Sequence, residues 1–109
     1  MVEISHVNEA NFDDEVLQVT QPVLVDFTAV WCGPCKMLDP VIKQLAQDWD
    51  GKVQIFKLDI DENPDLAMRF QVLGVPTLML FIEGKPVERL VGYQPKDRIL
   101  AKLAPHLSK

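Results

Sequence analysis

Two short apolar runs separated by one amphipathic stretch constrain this chain more than any other feature. Val23-Leu24-Val25-Asp26-Phe27 is β-branched and almost unbroken in its hydrophobicity, which suits a strand buried on both faces. Residues 53–60 form a second such run, with Val53, Ile55, Phe56, Leu58 and Ile60 as its apolar members. Between the two, Val41, Ile42, Leu45, Ala46 and Trp49 recur on one face of a helix. Strand, helix and strand at this spacing read as a βαβ unit with parallel strands, because parallel neighbours need a long crossover.

The remaining segments extend that unit into a sheet covered by helices. Asn63-Pro64 supplies an N-cap and first-turn pair for a short helix whose stripe is Leu66, Ala67 and Phe70. Residues 77–82 and 87–91 are strand-like and flank Glu83-Gly84-Lys85-Pro86, which predicts a hairpin. A final helix carries Ile99, Leu100, Leu103, Ala104 and Leu107 on one face, and Pro105 is expected to fray or kink its last turn. Near the start, Ile4 is assigned to a short edge strand. Phe12 and Val16 mark a first helix capped by Asn8 or Asn11. The predicted order is β α β α β α β β α, an α/β fold with a mixed sheet.

At 109 residues the chain has the usual size of one domain, so a single domain over 1–109 is expected. With 48% hydrophobic and 25% charged residues, the composition argues against disorder. The formal net charge of −5, with no run of Lys or Arg, gives no electrostatic reason to bind nucleic acid or an anionic membrane. Met1-Val2-Glu3-Ile4-Ser5 has no basic region leading into an apolar stretch, so no secretory signal is expected. Apolar runs such as residues 78–82 are too short to span a bilayer. A monomer in a reducing cytoplasm is the expectation.

The chemistry is concentrated in Trp31-Cys32-Gly33-Pro34-Cys35-Lys36, where the first buried strand gives way to the amphipathic helix. A helix N-terminus offers free N–H groups and partial positive charge, which stabilise a thiolate. Pro34, with fixed φ and no N–H, suits the first helical turn. The i, i+3 spacing brings both sulfurs to one side of that turn, within reach of a disulfide. Cys32 is therefore expected to be the exposed, acidified nucleophile, and Cys35, one turn deeper, the resolving thiol. A disulfide closing so short a loop constrains the unfolded chain little, so stability explains the pair poorly. Two incidental buried cysteines are one alternative. Half of a zinc site is another, but only His6 and His106 could add ligands and they lie near opposite ends, so no metal is expected. Asp26, flanked by Val23, Leu24, Val25 and Phe27, is expected to be desolvated, with its pKa raised towards neutrality. The alternative is a surface-facing strand position.

These residues resemble the thioredoxin family over essentially the whole chain. The resemblance is carried by Val25-Asp26-Phe27, the string from Trp31 to Lys36, Asp39-Pro40, Lys57-Leu58-Asp59-Ile60-Asp61, Gly74-Val75-Pro76-Thr77 and Val91-Gly92. It implies the thioredoxin fold, a central mixed five-stranded sheet flanked by four helices. It further implies a thiol–disulfide oxidoreductase that reduces disulfides in client proteins. Such a protein binds no cofactor and is itself reduced by thioredoxin reductase, with electrons from NADPH. Asp26 is implied to take the Cys35 proton, with Lys57 as the cation beside that carboxylate, while Gly33 and Pro34 tune the redox pair. Trp31, Ile60, Gly74, Val75, Pro76, Val91 and Gly92 are implied to form the substrate surface around Cys32, where an extended peptide can pair main chain to main chain. The Val75-Pro76 bond is implied to be cis, although only about one X–Pro bond in twenty is cis. Pro40 is expected to kink its helix. Thr28 departs from the family pattern, since many members carry tryptophan there. An oxidant or isomerase of the secretory pathway is opposed by Gly33-Pro34 and the N-terminal sequence. A non-catalytic binding module is opposed by the intact cysteine pair together with Asp26 and Lys57.

Overall fold

The computed structural model describes residues 4–108; Met1 to Glu3 and Lys109, part of the expected 1–109 domain, lie outside the described residues. The strands are β1 (Ser5–His6), β2 (Val23–Thr28), β3 (Gln54–Asp59), β4 (Thr77–Ile82) and β5 (Lys85–Val91). The helices are α1 (Gly33–Asp48), α2 (Pro64–Arg69) and α3 (Lys96–Leu107), preceded by a single π-type helical segment at Asp13–Leu17. All five strands form one sheet in the order β1-β3-β2-β4-β5. β1 and β2 run parallel to β3, whereas β4 is antiparallel to β2 and β5 to β4, so the sheet is mixed as expected. With four helical segments around it, this is the thioredoxin fold.

Alternation along the strands divides the interior into two layers. Val23, Val25, Phe27, Phe56, Leu58, Met79 and Phe81 point to one face, where they pack with Phe12 and Val16 of the first helical region and with Leu66 and Ala67 of α2. Four aromatic rings knit this layer. Phe70 lies 5.3 Å from Phe12 and 5.4 Å edge-on from Phe81, and Phe27 stands 6.4 Å from Phe70. Leu24, Ile55, Leu78 and Leu80 point to the other face, against Leu38, Ile42 and Leu45 of α1 and Ile99 and Leu103 of α3. Asp26, two residues after Leu24, belongs to this second face.

Several local expectations are corrected. Ile4 precedes β1 rather than belonging to it; the edge strand is only Ser5–His6, both exposed. Neither Asn8 nor Asn11 caps the helical segment, whose N-cap is Phe12 with no side-chain cap bond; Asn8 instead orders the preceding turn, accepting from the N–H groups of Ala10 at 2.9 Å and Asn11 at 3.1 Å. Asn11 reciprocates by accepting the Asn8 N–H at 2.7 Å. The hairpin loop is two residues, Glu83 and Gly84, both at positive φ (51° and 80°), so β5 already begins at Lys85. Such a loop matches strand twist, and a Cβ at Gly84 would collide with the Leu17 backbone, which fixes glycine there. Pro86 is tolerated in β5 because that strand is an edge. Pro105 does not fray α3, which continues to Leu107. Leu107 packs on the second layer, and that contact holds the last turn in place. Asn63 precedes α2 but gives it no side-chain cap. Its carboxamide is buried and spent elsewhere, accepting from Glu9 N–H and donating to the Asp59 carbonyl, both at 3.0 Å.

Candidate active site

β2 ends at Thr28, and after a short connection α1 begins at Gly33 with Cys32 as its N-cap. Pro34 occupies the first turn, where its missing N–H removes no helical bond. Cys32 and Cys35 are joined as a disulfide, with Cα atoms 5.3 Å apart. The Cys35 N–H donates to Cys32 Sγ at 3.2 Å, so the sulfur itself fills the role of a capping acceptor. Cys32 Sγ also lies 3.6 Å from the Val75 carbonyl oxygen. A disulfide sulfur has no proton to donate, so that approach is a contact in the oxidised form.

The expected difference in exposure between the two cysteines is not found. Each is only 3% exposed. Ala29 packs beside the pair, and Ile60 and Val75 close over it. What distinguishes the sulfurs is position: Cys32 receives the N–H of the first helical turn, while Cys35 borders a cleft of about 290 Å3 lined also by Thr28, Lys36, Asp39, Lys57 and Asp59.

Among the described residues Asp26 is the one fully enclosed acid, at 1% exposure, so the surface-facing alternative is excluded. Neither carboxylate oxygen has a hydrogen-bond partner among the described residues. Burial pushes its pKa up to about 7; the Lys57 ammonium pulls it down and the Asp39 carboxylate pushes it further up. Lys57 is the register partner of Asp26 on β3, yet its Nζ pairs with Asp39 Oδ1 at 2.6 Å. Lys57 therefore stands on the Asp26 face as expected, but with its hydrogen bond directed at Asp39.

Around the disulfide, Trp31 is 66% exposed and its Nε1–H donates to Asp61 Oδ2 at 2.7 Å. Ile60 and Val75 are half-buried beside the cysteines, Gly74 is exposed, and Pro76 is buried. The Val75-Pro76 bond is cis, in line with the expectation from the resemblance. The Gly92 N–H donates to the Pro76 carbonyl at 2.8 Å, and Thr77 pairs with the exposed Val91. Thr77 Oγ1 donates to the Gly74 carbonyl at 2.8 Å and ties the approach to Pro76. Of the seven residues expected of the substrate surface, Ile60 and Val75 pack against the cysteines, Trp31 adjoins Cys32 in sequence, and Gly74, Pro76, Val91 and Gly92 are tied to Val75 through the chain and the Gly92–Pro76 hydrogen bond. Sequence reasoning missed Asp61 as the anchor of Trp31, Asp39 as the partner of Lys57, and Leu73, which is 98% exposed next to Gly74. Asp39 and Asp61 stood inside matched strings, but only tertiary contact gives them their partners.

With this geometry established, comparison with known proteins is decisive: the thioredoxin family model matches residues 3–105. The chain belongs to the thioredoxin family. Thioredoxins of Staphylococcus saprophyticus, Staphylococcus haemolyticus and Staphylococcus aureus are each 49% identical to it over 104 residues, covering 95% of this chain and 98% of the relative. This thioredoxin-family chain is a thiol–disulfide oxidoreductase that reduces disulfides in protein substrates through Cys32 and Cys35. No helix among the described residues is long and apolar enough to cross a membrane.

Proposed function

We propose that the exchange runs in two steps with distinct roles for the two sulfurs. In the reduced protein the Cys32 thiolate attacks one sulfur of a client disulfide, forming a mixed disulfide and releasing the client's other sulfur as a thiolate. Cys35 then gives its proton to the Asp26 carboxylate and attacks Cys32 Sγ. The Cys32–Cys35 disulfide forms, and the second client sulfur leaves and is protonated by solvent. The client gains two electrons and the dithiol loses two. In the return direction protonated Asp26 hands its proton back to the Cys35 sulfur as the disulfide is reduced.

The single observation that carries this reading is the Cys35 N–H donated to Cys32 Sγ at the head of α1. That donor, with the helix dipole behind it, favours negative charge on Cys32 over Cys35. Lys57 biases the Asp26 carboxylate electrostatically, and Gly33 and Pro34 set the turn that holds the sulfurs together. Trp31, Ile60, Gly74, Val75, Pro76, Val91 and Gly92 receive the client as an extended segment. The reductant is thioredoxin reductase, drawing on NADPH, and the protein works as a cytoplasmic monomer without a bound cofactor. Nucleic acid and membranes have no part in it.

Cysteine variants test the assignment. Cys32→Ser is expected to abolish reduction of a disulfide-bonded protein such as insulin, and Cys35→Ser to accumulate the client as a mixed disulfide on Cys32. Mass spectrometry of the adduct identifies the sulfur. An adduct on Cys35 formed by the Cys32→Ser protein, with none on Cys32 in Cys35→Ser, would reverse the roles.

A further inference from the structure

The Lys57 ammonium has two carboxylates to choose between. Asp26 is its direct register partner on β2, and directly opposed residues on one face of a sheet bring their side chains together. Asp39 reaches it from α1, one turn beyond Cys35. The ammonium sits 2.6 Å from Asp39 Oδ1, while both oxygens of Asp26 are left without a hydrogen-bond partner among the described residues. Exposure explains the choice. The Asp39 side chain is 35% exposed and that of Lys57 16%, so their pair forms at the mouth of the cleft beside Cys35. Pairing Lys57 with Asp26 instead would draw the charge inward to a site that is 1% exposed, at a larger desolvation cost.

We propose that Asp39 is a positioning residue for the exchange reaction: it holds the Lys57 ammonium away from Asp26, so that the buried carboxylate stays free to take the Cys35 proton. The inference rests on Asp26 being that proton acceptor. A carboxylate locked in an ion pair is a weaker base than one left without a cation partner, because the pair favours the charged form. The negative charge of Asp39 acts in the same direction through space, pushing the Asp26 pKa up, and Lys57 opposes it. The neighbours of Asp26 are few in kind. Lys57 on β3 and the apolar Leu78 on β4 are its register partners, Asp39 of α1 acts on it through space, and Cys35, Asp39, Lys57 and Asp59 line the cleft on that side. Lys36 and His6 also line the cleft and complete its charged and titratable groups.

The test follows the Asp26 carboxyl directly, by carbon-13 NMR titration of the oxidised protein, alongside the pH profile of disulfide reduction. With Asp39→Asn, Lys57 is released towards Asp26, and the Asp26 midpoint is expected to fall by roughly half a unit to one unit, with the acid limb of the pH profile following it. Asp39→Ser gives the same shift, and Asp39→Glu, which can still hold Lys57, keeps the wild-type midpoint. An unmoved or raised Asp26 midpoint in both Asp39→Asn and Asp39→Ser overturns the role of Asp39 alone. Equal rates and superimposable pH profiles for wild type and Asp26→Asn overturn the acceptor reading and this inference with it.

Discussion

On one face of the sheet, Phe12, Phe27, Phe70 and Phe81 interlock with Val16 and Leu66, and among the described residues no charged side chain is buried in that layer. On the other face, Leu24, Leu78 and Ile42 make an equally apolar layer, but Asp26 is set into it with both oxygens unpartnered. The same strands build both. Val25 and Phe27 serve the first face and the residue between them serves the second, so a single strand carries packing on one side and chemistry on the other. The contrast shows where this fold holds its stability and where it gives some up. Edge-on aromatic pairs add about 0.5–1.5 kcal/mol each beyond area burial. A buried, unpaired carboxylate works against folding.

If the faces divide the labour in this way, damage to each should have a different signature. Phe81→Ala removes a fully buried ring from the aromatic layer and is expected to destabilise the protein by about 3–5 kcal/mol. The pH profile of disulfide reduction by the molecules that remain folded should not move. Denaturant unfolding and the profile together check this, and a displaced profile would mean that the aromatic layer also serves the site.

Asp26→Asn is expected to act in the opposite sense, stabilising the fold while slowing the chemistry. The folded pKa of about 7 lies above the ordinary value of 3.8, so the wild type loses stability as pH rises from about 4 to about 7. The advantage of the asparagine variant should therefore be absent at pH 3, grow across that window and level off above it. Its ceiling is about 4 kcal/mol, from a shift of roughly three units at 1.36 kcal/mol each. Urea unfolding at pH 3, 5 and 8 measures it; a constant difference across the three would show that Asp26 ionises at the same pH in the folded and the unfolded chain.

The features legible in the sequence are those that a local pattern carries. β2 and β4 showed as apolar runs, α1 as a helical stripe, and the disulfide as two cysteines one turn apart. Asp26 was legible because an acid inside a doubly buried strand has no exposed side to turn to. Features set by tertiary contact were not. β1 is two exposed residues with no pattern of their own, held by pairing with β3. Pro105 stays helical because Leu107 packs beyond it, and Pro86 sits in a strand because its edge needs no donor. The burial of Cys32 comes from Ile60 and Val75, 28 and 43 residues away. The Lys57–Asp39 pair joins β3 to α1 across 18 residues.

The charged insert on the α1 face is the centre of the account, and its purpose is tested most directly by the rate of disulfide reduction as a function of pH in wild type and Asp26→Asn. The wild-type rate is expected to fall on the acid side of about pH 7 as Asp26 takes up its proton. The asparagine variant should lose the part of that limb that Asp26 contributes and turn over about a hundredfold more slowly at neutral pH, the lower end of what a positioned base contributes. Equal rates and superimposable profiles for the two proteins would contradict the assignment of Asp26 as the acceptor of the Cys35 proton.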